Sequence, residues 1–219
     1  MRPFVFALAV LIVGCAPRLD AGAVGPDARP SARALAAVAD SLASAPLPRR
    51  AESARRALSR AGATPLADGG QTARWTALSD GAPSAAAFVP GRDPLARNEL
   101  VVLSADLDGM GAAATLEAVR ILVERSQWRT APERSVEVML WRGASPNAAQ
   151  AALWARPEVR AVLVVGDAAP VADSLAVESL PVTGDGLALA GRIVERVTEL
   201  ARRPAPPVSG APSDTLIVR

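Results

Sequence analysis

Two aspartates, one residue apart, follow a strand-like apolar run near the middle of the chain. The stretch 100–122 is LVVLSADLDGMGAAATLEAVRIL, in which the apolar run stops at Ser104 and Asp106 and Asp108 come next. Two glycines and a helical pattern follow them. A strand, an acidic turn and a helix in this order form many sites of α/β proteins. The two carboxylates are therefore candidate ligands for a hard cation.

The rest of the composition excludes most other chemistry. The 219 residues contain no histidine and no tyrosine, and the one cysteine is Cys15. Ser-His-Asp and Cys-His nucleophile systems therefore cannot form, and an ordinary zinc site lacks its imidazole and thiolate ligands. A metal would have to be held by Asp, Glu and carbonyl oxygen, which favours Mg²⁺ or Ca²⁺.

The charge pattern excludes nucleic acid as the expected partner. The net charge is +2, and the 24 basic residues are all arginine. No contiguous cluster of five or more basic residues occurs, and only four tryptophans and Phe88 are expected to be available to stack bases. Nucleic-acid-binding domains usually carry a concentrated basic patch, so we expect no nucleic-acid partner.

The N-terminus has the pattern of an export signal. Arg2 precedes an apolar run over 4–13, which is too short to cross a bilayer as a helix and matches a secretory signal. Residues 12–15, Ile-Val-Gly-Cys, resemble the lipobox of bacterial lipoproteins. That resemblance implies cleavage before Cys15 and a lipid on this residue. The alternative is an ordinary signal peptide with a chance cysteine. We expect an exported protein, lipid-anchored in the bacterial cell envelope.

Composition divides the chain into four parts. Residues 1–15 form the lipoprotein signal peptide and lipobox, and residues 16–30, rich in Ala, Gly, Pro and Asp, form a flexible tether. A single α/β domain spans 31–203, and a Pro-rich tail spans 204–219. Since the chain has one cysteine, the domain contains no internal disulfide.

Hydrophobic periodicity predicts the elements that position the aspartates. Helices are expected over 31–43, 49–61, 110–125, 147–154 and 184–203. Strands are expected over 73–78, 85–89, 99–105, 135–141, 159–165, 175–177 and 214–218. The β-α-β-α-β order from 99 to 166 predicts a three-layer α/β fold, with a mixed, mostly parallel sheet flanked by helices.

Side-chain positions follow from these elements. We expect Glu117, Arg120, Glu124 and Glu137 to face water. The tryptophans are expected in the core or at its edge; they are Trp75, Trp128, Trp141 and Trp154.

Three segments resemble the co-catalytic di-zinc aminopeptidases, a family of exported enzymes that includes bacterial leucyl aminopeptidases and relatives of glutamate carboxypeptidase. FVPGRDP (88–94) followed by ELVVLSA (99–105) resembles the family's strand, loop and second buried strand. AAATLEAVRIL (112–122) resembles its next helix, and RSVEVMLWRG (134–143) its next strand. The likeness covers about residues 32–203 and implies the zinc-aminopeptidase fold, truncated at the C-terminus.

The resemblance also assigns vestigial site positions. The family's first zinc-binding histidine corresponds to Asp106, and the aspartate that supports this ligand corresponds to Asp108. The loop with the metal-bridging aspartate is missing, because 109–111 leads straight into the helix.

The remaining catalytic positions lie after the next two strands. The general-base glutamate corresponds to Ala144, and the adjacent ligand glutamate to Ser145. The next ligand aspartate corresponds to Gly166, or to Asp167 with a slip of one residue. The resemblance therefore implies the fold, while the residues present argue against zinc binding and aminopeptidase activity.

Two functional hypotheses follow. The first is a non-catalytic module, without cofactor, that binds a peptide or protein partner in the cleft where the family holds its metals. The alternative is a metal-dependent peptidase or hydrolase with a rebuilt, carboxylate-only site around Asp106 and Asp108.

Two other interpretations of the same turn stay open. The aspartates can be a solvated turn in which one carboxylate caps the following helix. The pattern GxGxxA over 109–114 also matches a dinucleotide-binding fingerprint. However, the two aspartates would repel a pyrophosphate, and Trp141-Arg142 ends the next strand without an acid for the ribose.

The lipid anchor predicts the behaviour of the variant Cys15→Ser. Without its thiol, the protein cannot be lipidated, so we expect it to leave the membrane fraction and appear in the soluble envelope fraction. Fractionation followed by immunoblotting measures this. Unchanged membrane retention of the variant would refute the anchor.

Overall fold

The computed structural model describes residues 25, 27–66, 84–142, 154–166 and 176–204, and the structural statements below concern these residues. The helices are α1 (Ala32–Ser44), α2 (Leu47–Arg60), α3 (Met110–Arg125) and α4 (Gly186–Arg202). The strands are β1 (Thr64–Pro65), β2 (Ala85–Val89), β3 (Leu100–Asp106), β4 (Ser135–Trp141), β5 (Val159–Val165) and β6 (Ala176–Leu180).

The six strands form one mixed sheet in the order β1-β2-β4-β3-β5-β6. Strands β3 to β6 are parallel, whereas β2 is antiparallel to both β1 and β4. The predicted α/β class with a mixed, mostly parallel sheet is confirmed. Because β3 to β6 run the same way, their carboxyl ends meet at one edge of the sheet, which we call the strand-end edge. Asp106, Trp141, Val165 and Leu180 end these strands there.

The sheet buries apolar side chains on both faces. In β3, Val101, Leu103 and Ala105 belong to the large core that the four helices cover. Val102 lies on the opposite face, in a smaller cluster that includes Met139 and other side chains from β2, β4, β5 and Trp154. A strand that is buried on both faces has an almost continuous apolar sequence, as β3 does. The helix predicted over 147–154 lies outside the described residues except for Trp154, whose side chain packs on this second face.

Most predicted elements in the described part agree with the structure. The bounds of α3, β4 and β5 match the prediction at both ends. Helix α2 starts earlier than expected, at Leu47, because Pro48 lies in the first turn, where a helix needs no backbone donor. Strand β6 is longer than expected, and β1 was not predicted. The predicted strands 73–78 and 214–218 lie outside the described residues.

Three side-chain predictions were wrong. Glu117 is buried, with 1% of its surface exposed, and Glu137 is buried at 2%. Glu137 has an ion pair with Arg156, from the turn before β5. Trp128, which was expected at the core, is 49% exposed. Trp141 and Trp154 are buried as predicted, and Trp75 lies outside the described residues. The two glutamates can be buried because each has an arginine partner.

Glu117 holds the start of the domain against α3. Its Oε1 accepts the Ser31 backbone N–H at 2.7 Å and an Arg120 Nη2 donor at 2.7 Å. Arg125 at the end of α3 donates to the Ala28 carbonyl at 2.6 Å, and Ala28 is fully buried. The contacts of the domain therefore reach back to Ala28, into the segment expected to be tether.

No helix among the described residues is both long enough and apolar enough to span a bilayer.

The burial of Glu117 predicts an unequal effect of two matched substitutions. Glu117→Gln leaves Arg120 with less charge compensation in a buried network, so we expect it to lower the free energy of unfolding by about 1–3 kcal/mol. Glu124→Gln removes the other acidic partner of Arg120, four residues after it and 23% exposed, and should cost less than about 1 kcal/mol. Urea unfolding of both variants measures this. Equal losses would contradict the structural role assigned to Glu117.

Candidate functional site

The first aspartate ends the central strand. Asp106 is paired in register with Trp141 of β4, and Ala105 before it is paired with Val165 of β5. The next residue, Leu107, still donates its N–H to the Trp141 carbonyl at 2.6 Å. Asp106 therefore lies at the strand-end edge, between the ends of two neighbouring strands.

The Asp106 carboxylate closes the turn that follows it. Its Oδ1 accepts the backbone N–H of Asp108 at 3.1 Å, two residues on, which is the geometry of an Asx turn. The expectation that one aspartate caps α3 was wrong. The N-cap is Gly109, without a side-chain hydrogen bond. Its φ of 83° is in the left-handed region, which glycine adopts at little cost and other residues do not.

The second aspartate is paired with an arginine from another element. Arg50 Nη1 lies 2.6 Å from Asp108 Oδ1, and the two side chains are 25% and 41% exposed. Arg50 Nε also donates to the Ala45 carbonyl at 3.2 Å, which orients the guanidinium. The pair joins the start of α2 to the β3–α3 turn across 58 positions of sequence. It neutralises one of the two carboxylates expected to form a site.

Gly166 is the only other predicted site position within the described part. It follows β5, next to the end of β3, and its N–H donates to the Leu180 carbonyl at 2.9 Å. The structure therefore brings Asp106 and Gly166 together, since adjacent strands lie about 4.8 Å apart. Glycine offers no side-chain ligand. Ala144, Ser145 and Asp167 lie outside the described residues.

Within the described residues, the donor set at this edge lacks the ligands that a pair of zinc ions needs. No group of three or more Asp, Glu, Cys or His side chains comes together anywhere in the described residues. A zinc pair needs several anionic or imidazole ligands and a base for the attacking water. Asp106 holds its own turn and Asp108 is paired with Arg50, so neither carboxylate is arranged for such ions.

A cleft opens beside the turn. It has a volume of about 290 Å³ and lies between α1, the first turn of α2 and the β3–α3 turn. Arg50 supplies the one charged side chain in a mostly apolar wall. The lining residues are Ala39, Leu42, Ala43, Arg50, Leu107, Gly109 and Met110. Sequence reasoning missed Arg50 and the α1 residues, because the contact that brings Arg50 to the turn is not local.

Two exposed apolar side chains lie at the start of α3. Met110 and Val182 are each 44% exposed. They lie close together, because a Cβ on Gly111 would be 3.2 Å from Val182 Cγ2 and a Cβ on Gly186 would be 2.5 Å from Met110 Sδ. We call Met110, Val182 and the cleft the apolar strand-end surface.

Close packing explains why the second glycine of the GxGxxA pattern, Gly111, is a glycine, and no bound nucleotide is needed for that explanation. Besides Val182, a Cβ on Gly111 would also meet Val165 Cγ1, at 3.6 Å. The glycine lets the first turn of α3 pack closely on the end of β5, so its presence is accounted for by packing.

No protein-family model matches this sequence, and no curated protein matches it.

Proposed function

We propose that this chain is a lipid-anchored envelope protein whose domain binds a peptide or protein partner and has no catalytic activity. The observation that carries the proposal is the apolar strand-end surface. In open α/β sheets, ligands bind beyond the carboxyl ends of the strands, which is where this surface lies. The lipid anchor is supported by the lipobox that ends at Cys15.

The state of the two carboxylates supports a non-catalytic role. Hydrolysis of a peptide needs an activated water, and this water needs a metal or a general base beside it. Asp108 is neutralised by Arg50 at 2.6 Å, and Asp106 accepts a hydrogen bond from its own turn. Both carboxylates therefore stabilise the turn. No contact of the described residues favours a carboxylate-only hydrolase.

The size of the cleft indicates what kind of ligand it accepts. Its volume of about 290 Å³ is just below the range for small-molecule sites, which is about 300–1,000 Å³. It can therefore hold one or two apolar side chains of a partner, with Met110 and Val182 extending the contact outside. Exposed apolar side chains next to a pocket are typical of interaction surfaces.

The proposed ancestry is a degenerate form of the di-zinc aminopeptidase fold. Its support is the order of the three resembling segments, together with a mixed sheet in which β3 is central and β2 is antiparallel. The partner would then bind where the family has its active site, at positions whose metal ligands have been replaced in this chain.

A peptide library tests the binding surface. The mature chain (residues 15–219) with Cys15→Ser would be immobilised and panned against displayed random peptides. We expect enriched peptides with a shared apolar motif. Met110→Asp places a charge in the contact, so it should weaken their binding at least about tenfold, a loss typical of a central contact residue.

Leu95→Asp is the matched control. Leu95 is 93% exposed but lies in the loop before β3, at the opposite edge of the sheet, so this variant should bind as the parent does. Titration of the enriched peptides by fluorescence anisotropy gives the affinities. The absence of a shared motif, or equal losses in the two variants, would contradict the proposed surface.

A further inference from the structure

Helix α2 is strongly basic on its outer side. Its sequence, LPRRAESARRALSR, has five arginines against one glutamate, which leaves a net charge of +4 over 14 residues. Ala54 and Leu58 are buried against the sheet. The outward arginines are exposed, and we call them the arginine surface: Arg49, Arg55, Arg56 and Arg60.

Acidic neighbours compensate little of this charge. Arg50, outside the arginine surface, is paired with Asp108. Within it, Arg56 Nε lies 2.9 Å from Glu52 Oε1. The other three members of the surface have no acidic partner in the part of the chain that the structure describes. Their uncompensated charge favours an anionic partner.

A groove beside these arginines has the donors that phosphate groups need. It has a volume of about 480 Å³ and lies between the end of α1 and α2. Ser41, Ser44 and Ser53 line it, next to Arg49 and Arg56, and the Ser44 hydroxyl donates to the Ser41 carbonyl. Guanidinium and hydroxyl donors together bind phosphate oxygens well. Glu52 also lines the groove, with its carboxylate held by Arg56.

The position of Ala28, at the end of the expected tether, places α2 near the anchor. Ala28 is held by Arg125 at the end of α3. Gly62, just after α2, packs near Val123 in the same turn of α3, since a Cβ on Gly62 would be 3.2 Å from Val123 Cγ1. The tether thus enters beside the end of α2. The 13 residues from Cys15 to Ala28 reach at most about 45 Å, about twice the length of α2, which is roughly 21 Å.

We propose that the arginine surface docks on the anionic phospholipids of the membrane that holds the anchor. The proposal rests on the lipid anchor of the proposed function, because a tethered domain stays close to this surface. The apolar side of α2 is packed inside the domain, so the contact is electrostatic and no helix inserts. Basic side chains near an anionic leaflet each add to the attraction, and salt weakens it.

Vesicle sedimentation tests this proposal with the mature chain (residues 15–219) carrying Cys15→Ser. This protein has no lipid, so the result does not depend on whether Cys15 is lipidated, and the anchor is tested separately by fractionation. We expect binding to vesicles of phosphatidylcholine mixed with phosphatidylglycerol and none to phosphatidylcholine alone. Raising the salt concentration should weaken the binding.

Charge reversal tests the position of the contact. Arg49→Glu, Arg56→Glu and Arg60→Glu together should weaken vesicle binding at least about tenfold. The control replaces Arg97, Arg129 and Arg202, which are exposed elsewhere, by Glu and so changes the net charge equally. It should stay within about twofold of the parent. If the triple variant loses its cooperative urea transition, the milder double variant Arg49→Gln and Arg60→Gln replaces it in the vesicle-binding test.

Three results would overturn the proposal. The first is equal binding to both kinds of vesicle. The second is an equal loss in the control, which would show that net charge alone drives the binding. The third is binding to a short DNA duplex as tight as to the anionic vesicles, which would make the arginine surface a nucleic-acid site.

Discussion

The burial of β3 on both faces is the constraint on which the rest of the domain depends. Val101, Val102 and Leu103 are fully buried, and the strand has hydrogen-bonded neighbours on both edges. Parallel neighbours require crossover connections, so α3 must start directly after β3 and return across the sheet. The turn over 107–109 is therefore forced to the strand-end edge, where the sequence has its two aspartates.

The contacts of that turn determine what this edge can do. Arg50 forms an ion pair with the Asp108 carboxylate, and the Asp106 carboxylate accepts a hydrogen bond from the turn. The polar groups that resemble a catalytic site therefore hold α2, β3 and α3 together. The open surface beside them is mostly apolar and consists of the cleft, Met110 and Val182. The expected tether reaches the domain at the far end of α3, by Arg125. The proposed binding surface therefore lies at the edge opposite the proposed anchor, while the arginine surface runs between the two edges.

Local patterns predicted the elements well and the ion pairs between distant parts of the sequence poorly. The bounds of α3, β4 and β5 followed from periodicity within short windows, and the mostly parallel sheet followed from the order of strands and helices. Periodicity placed Glu117 in water, because its contact with Ser31 spans 86 positions of sequence. The pair of Arg50 and Asp108 was missed for the same reason. The arginine surface was missed because its members are interrupted by Ala, Ser and Leu and come together only on the helix.

The central proposal is that the aspartates at the end of β3 serve structure and not catalysis. The most direct test is the metal content and aminopeptidase turnover of the purified mature chain (residues 15–219) with Cys15→Ser, measured beside the same protein with Asp106→Ala. We expect no stoichiometric metal and no turnover in either protein, with both folded by their urea transitions. Stoichiometric zinc, Mg²⁺ or Ca²⁺ with a turnover that Asp106→Ala abolishes would contradict the proposal.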